Sequence, residues 1–321
     1  MKQRNSLIDS IKFVLIFFVV LGHALELNRD IALNMKAYSF IYSFHMPAFI
    51  MLSGYFAKEC LGGGRFILSL LAVYAIFQIL YTGNPLEEGW PSLEGLKTNI
   101  TKIFLPAGSI WYIVSLLFWR LMFALSPAVL KKKLKMHFLL ATGLALIVGF
   151  IPLGKELSFQ RSFVFYPYFV FGYMMSKEDW LAKLRSVNVT WGYAVLGVYM
   201  ILIAVIPHIP LSMLVQFHYY AELGSVPSAF AMRICSYFWM LPLAIAVLRI
   251  IPDEEWLADE GRNSLFYYLY HPFLIGVFHI MSVHYGINTT LPFILLYSVM
   301  TMFVLQFLSK CKVLSKLTKP F

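Results

Sequence analysis

Lys12 and His23 stand eleven residues apart in a stretch that is otherwise almost wholly apolar. At about 100° per residue, eleven steps leave a remainder of about 20°, so both side chains share one helical face, roughly 16 Å apart along the axis. That face presents a cation near one end and an imidazole near the other. Glu26 follows His23 at i+3, where a carboxylate can orient or charge the ring. Gly22, beside the histidine, admits close approach by another backbone or a ligand. The simpler alternative is a snorkelling lysine and a histidine bonded to a neighbouring helix.

Other ionisable groups sit in apolar runs, at a cost of roughly 2.5–3.5 kcal/mol each at a helix centre. They are His45, Arg120, Arg233, His271 and His279. His45 lies just before Pro47 and His271 directly before Pro272, so each histidine is expected at a proline-induced break. Singly, each reads as a polar group at a kink. With His23, they also fit a shared polar cavity that binds substrate. No carboxylate or cysteine at ligand spacing accompanies them, so no metal is expected. Arg65 opens an apolar run after Gly62-Gly63-Gly64. It is either a topological anchor or a cytoplasmic phosphate ligand on a glycine hinge. Arg120 and Arg233 either pair with buried acceptors or line a cavity. The chain has no P-loop, no dinucleotide fingerprint and no GxSxG elbow.

The elements that must hold these groups follow from composition. Of 321 residues, 60% are hydrophobic and 13% charged, against about 25% charged in a soluble chain. The mean hydropathy is +0.73. An all-α, polytopic membrane helix bundle is expected, forming one transmembrane domain over residues 1–321 with no soluble domain appended. Apolar runs of spanning length fall near 7–27, 37–57, 65–82, 110–129, 136–153, 162–177, 189–207, 228–250, 262–283 and 291–309, about ten helices. The first run has a basic start but no clear cleavage site, so it is read as an uncleaved helix rather than a signal peptide. The net charge of +10 is a topology signal. Arg29, Lys36, Lys97, Lys102, Lys155 and Arg161 fall on one side and Lys12, Arg120 and Arg233 within spans, leaving 17 of the 26 Lys and Arg on the other. Both termini are therefore expected in the cytoplasm, and a nucleic-acid partner is not. Cys60, Cys235 and Cys311 form no CxxC pair and are read as reduced structural residues.

The motifs, taken in order, resemble the integral-membrane acyltransferase 3 family. Ile8-Asp9-Ser10-Ile11-Lys12 followed by Val20-Leu21-Gly22-His23 is similar to its first helix, which carries a basic residue, ten residues and a histidine. Phe44-His45-Met46-Pro47 with Leu52-Ser53-Gly54-Tyr55 resembles the second, and Ser109-Ile110-Trp111-Tyr112 the tryptophan-bearing fourth. Tyr166-Pro167 with Phe171-Gly172-Tyr173 resembles the sixth, and Gly261-Arg262-Asn263-Ser264-Leu265 with Tyr270-His271-Pro272 a late helix. Two departures stand out. The first-helix basic residue, commonly arginine, is Lys12, and Arg65 stands alone where other members cluster arginines.

The resemblance implies transfer of an acyl group, usually acetyl from acetyl-CoA, to a sugar hydroxyl of a surface polysaccharide or its lipid-linked precursor. The short form is most similar to exopolysaccharide and fucose O-acetyltransferase-like members. Location in a bacterial-type cytoplasmic membrane follows. His23, assisted by Glu26, is then the expected catalytic base, acting directly or through an acyl-histidine. Lys12 and Arg65 are expected to bind the acyl-CoA phosphates. The 16 Å or so between Lys12 and His23 suits a pantetheine arm laid along the helix. His45, His271, Trp111 and Tyr112 are expected to meet the carbohydrate acceptor, although Trp111 and Tyr112 also fit an interfacial aromatic belt. Membrane lipid is the surrounding partner, and a homodimer is an open alternative to a monomer. The rival class is a polytopic transporter or flippase that uses its intramembrane histidines and arginines as a proton or substrate path. The absence of repeat symmetry speaks against it.

Overall fold

The computed structural model describes residues 5–57, 63–82, 102–154, 156–206, 210, 214–216 and 218–318. Among them every regular element is helical. The helices are α1 (Ser6–Glu26), α2 (Ala32–Tyr42), α3 (His45–Tyr55), α4 (Gly64–Thr82), α5 (Trp111–Leu125), α6 (Ala128–Lys132), α7 (Leu134–Ile147) and α8 (Phe159–Lys177). They continue as α9 (Trp180–Ser186), α10 (Val189–Val205), α11 (Val226–Ile250), α12 (Glu255–Gly261), α13 (Ser264–His284), α14 (Leu291–Ser309) and α15 (Lys312–Leu317).

Six of these are long and apolar enough to cross a bilayer: α1, α4, Gly108–Leu125, α11, α13 and α14. Together α9 and α10, bent by 86°, raise the number to seven. Such helices mark the chain as an integral membrane protein. The other expected spans differ in form. The run at 37–57 divides into α2 and α3, eleven residues each, or about 16 Å apiece against a hydrocarbon core of about 30 Å. That at 136–153 holds α7, only 14 residues. Helix α8 is long enough, but Gln160, Arg161 and its tyrosines lower its hydropathy.

The prolines act differently from expectation. The chain breaks at Ser43-Phe44, ahead of Pro47, which sits in the first turn of α3 where no amide donor is needed. Helix α13 runs through Pro272 without a break. Neighbouring helices tolerate such a lost bond in membranes.

The chain divides into two compact units: Met1–Phe49, Asp179–Val215 and Cys235–Ser315 in one, Ile50–Glu178, Gln216–Ile234 and Lys316–Phe321 in the other. In the first, α1 is the buried centre, capped by the Asn5 side chain. A Cβ on Gly261 would lie 1.8 Å from the Asp9 carbonyl oxygen, so α12 meets α1 backbone to backbone. Ser10 Oγ donates to the Glu254 carbonyl at 3.0 Å beside this contact. In the second unit, a Cβ on Gly54 would lie 1.9 Å from the Phe169 carbonyl and one on Gly172 1.9 Å from that of Met51. Small residues allow such close helix packing where lipid supplies no hydrophobic drive. The glycines of three recognised motifs are thus packing residues. Cys235 and Cys311 carry free, exposed thiols, whereas Cys60 lies outside the described residues.

Candidate active site

The C-terminal turn of α1 carries His23 and Glu26 on one side. His23 Nδ1 lies 3.0 Å from Glu26 Oε2, and the two side chains are 26% and 35% exposed. The i+3 spacing delivers this contact within the helix itself. Tyr42, the last residue of α2, donates its hydroxyl to the same Glu26 oxygen at 2.9 Å. It also comes within 3.5 Å of His23 Nδ1. The Gly22 position meets the Tyr42 ring, with Cε2 at 3.1 Å from where a Cβ would stand. Close approach at Gly22 is therefore used by a side chain. Tyr42 is held in turn by a stacked Tyr38 at 3.9 Å. Ser43 accepts from Trp239 Nε1 at 3.0 Å. Asn34 ties the α1–α2 turn down by donating to the Asn28 and Thr289 carbonyls, both at 2.9 Å.

His45 and His271 join this group. The His271 ring is buried, with its centroid 5.2 Å from that of His23. His45 is buried with its ring 4.6 Å from Tyr42. Each donates Nδ1–H to the carbonyl four residues earlier, His45 to Ile41 at 2.8 Å and His271 to Tyr267 at 3.1 Å. The Ile41 carbonyl also accepts from the Phe44 amide at 3.1 Å, so the His45 ring is its second donor. Both rings then keep Nε2 as an acceptor. The His271 Nε2 is buried with no hydrogen-bond partner among the described residues, a state that calls for a ligand or water. His23, Glu26, His45 and His271 thus meet as the sequence suggests. Tyr42 was not foreseen, because nothing local to it signals an approach to α1.

With its Nδ1 turned to Glu26, a neutral His23 offers Nε2 as the proton acceptor, and the carboxylate stabilises the imidazolium that forms. Roughly 16 Å along α1, Lys12 Nζ lies 2.9 Å from Asp9 Oδ1. The Asp9 side chain is 3% exposed and that of Lys12 25%. Sequence reading overlooked Asp9, although i−3 spacing signals it. Among the described residues no group of three His, Cys, Asp or Glu could hold a metal ion.

The remaining candidates belong to the second unit. Arg65 is exposed in the first turn of α4. Trp111 is packed, 8% exposed, stacked on Phe165 and under the Arg161 guanidinium at 4.7 Å. The Tyr112 hydroxyl bonds to Ser53 Oγ. The Arg120 guanidinium lies 4.3 Å over the Phe66 ring. Arg233 is buried, donating to the His218 carbonyl at 2.7 Å and lying 4.8 Å over Tyr220. Arg233 thus has a backbone acceptor, though a partly exposed one.

The sequence model of the acyltransferase 3 family, described as an acyltransferase domain, matches residues 5–310. No curated protein and no solved structure matches the chain. That match covers the charged face of α1, the histidine group and the packing glycines alike, and the chain belongs to the acyltransferase 3 family.

Proposed function

We propose that the protein is a membrane O-acyltransferase moving an acetyl or other short acyl group from cytoplasmic acyl-CoA to a hydroxyl of a cell-surface polysaccharide sugar or its lipid-linked precursor. The observation that carries this reading is the His23–Glu26 pair, 3.0 Å apart and a quarter to a third exposed, in a chain of acyltransferase lineage. In the proposed step the sugar hydroxyl gives its proton to His23 Nε2 as its oxygen attacks the thioester carbonyl. The carbon–sulfur bond then breaks, and the leaving thiolate takes the proton from the imidazolium. Glu26 holds the ring and stabilises its charge, and Tyr42 holds Glu26. The open Nε2 of His271 accepts from the sugar. His45 is assigned to the same acceptor, and Trp111 and Tyr112 are assigned to it by the family motif they carry.

Lys12 and Arg65 bind the donor phosphates at the inner end, Lys12 exchanging its Asp9 partner for phosphate. The chain acts as a single catalytic domain, with ten crossings and both termini inside a bacterial-type cytoplasmic membrane. Purified protein in detergent, supplied with acetyl-CoA, is expected to release free CoA thiol and to do so faster with an acceptor glycan. A transporter or flippase would do neither, and that result would reject the proposal.

A further inference from the structure

A cavity of about 310 Å³ opens in the first unit, with none of the three clustered histidines in its lining. Its size suits a small ligand, for which pockets begin near 300 Å³. The walls are aromatic: Phe13 and Phe17 of α1, Trp256 of α12, Tyr267 of α13 and Phe303 of α14. Phe13 packs edge-to-face with Trp256 at 6.2 Å and Tyr267 at 6.1 Å. Trp256 and Phe303 are 63% and 61% exposed and form the rim.

One charge lines this cavity, the carboxylate of Glu260. It accepts from the Tyr267 hydroxyl and from Gln306 Nε2, both neutral donors. No lysine or arginine among the described residues pairs with it. The two neutral donors replace part of its hydration but leave its charge without a counter-ion among the described residues. Ring faces and a carboxylate together repel anions and attract organic cations. The depth is also informative. Glu260 stands one turn before α13 begins and Gln306 in the last turn of α14. Both therefore lie where spanning helices end, at the level of lipid headgroups.

We propose that this cavity binds the ammonium headgroup of a membrane phospholipid. The ammonium meets Glu260 and the aromatic faces, and the acyl chains leave past Trp256 and Phe303 into the bilayer. The carboxylate disfavours an anionic group inside this cavity, so its occupant is distinct from the polyanionic acyl donor.

Native mass spectrometry of the full chain in a neutral detergent tests this, with phosphatidylethanolamine and phosphatidylglycerol of identical chains at equal concentration. Retention of the ethanolamine lipid is expected to exceed that of the glycerol lipid by roughly tenfold, the equivalent of about 1.4 kcal/mol. Glu260→Gln is expected to abolish the preference while its remaining oxygen still accepts from Tyr267, its new amide donating to Gln306 once that side-chain amide turns over. Phe303→Ala, on the exposed rim, is expected to weaken it, and carries the test if Glu260→Gln does not fold. Equal retention of both lipids, or a preference unchanged in the folded variants, would overturn the proposal.

Discussion

Replacing Glu26 by glutamine removes one charge and little else. The amide oxygen can still accept from His23 Nδ1–H, so ring orientation survives while the stabilisation of imidazolium is lost. Two charges 3.0 Å apart interact by about 1.4 kcal/mol at the dielectric of water and about 5.5 kcal/mol at an effective value near 20. The pair is a quarter to a third exposed, which places the loss between these limits, at about 2–3 kcal/mol. At about 1.4 kcal/mol per decade this is a fall in kcat of roughly 30- to 150-fold. Turnover is read as CoA thiol release from acetyl-CoA at saturating donor, per folded molecule, in detergent. His23→Ala sets the floor, with an expected loss of about 10²–10⁴-fold. Tyr42→Phe should fall between wild type and Glu26→Gln, since it removes only the donor that holds the carboxylate. If Glu26→Gln kept kcat within twofold while His23→Ala was inactive, the carboxylate would have no part in the step.

His45→Ala and His271→Ala are expected to lower the melting temperature, each losing a buried Nδ1 bond worth about 1–3 kcal/mol; full activity in folded His23→Ala with loss in either of these would move the base role to that residue. Lys12→Ala and Arg65→Ala are expected to raise the KM for acetyl-CoA more than they lower kcat, because phosphate pairing is ground-state binding, and an unchanged KM in both would remove the donor assignment. Gly261→Ala, Gly54→Ala and Gly172→Ala should each destabilise by about 1–3 kcal/mol or more, because the added Cβ meets a carbonyl oxygen at 1.8–1.9 Å. Gly143→Ala, with nothing within 4 Å, should be neutral or stabilising by up to about 1 kcal/mol, and thermal melts of equal midpoint across all four would discount the close contacts. In a background with Cys60, Cys235 and Cys311 changed to serine, an impermeant thiol reagent should label Lys97→Cys and spare Lys132→Cys in intact cells, and the reverse pattern would invert the topology.

What the chain reveals without its fold is whatever one helix can arrange alone. Composition places it in lipid, and the 3.6-residue period aligns Lys12 with His23 on one face of α1. The same arithmetic puts Glu26 beside His23, and it also joins Asp9 to Lys12, a pair that went unread. The family motifs are legible for a related reason: Gly54, Gly172 and Gly261 mark places where only hydrogen fits between backbones. Other features depend on how helices dock. Tyr42 reaches Glu26 only because the break at Ser43-Phe44 ends α2 beside Gly22. His271 comes to His23 across helices nearly 250 positions apart in the chain, and no periodicity reports that distance. The prolines show the limit most directly. Pro47 was expected to bend a span and instead starts a new helix, while Pro272 leaves α13 continuous. A missing amide proton is a local fact, but whether the chain breaks there depends on what the neighbouring helices offer the orphaned carbonyl. Burial of Trp111 among Phe165 and Arg161 and the hydrogen bond from Gln306 to Glu260 likewise arise only when distant side chains are packed together, since burial and pairing belong to the assembled interior and not to any stretch of sequence.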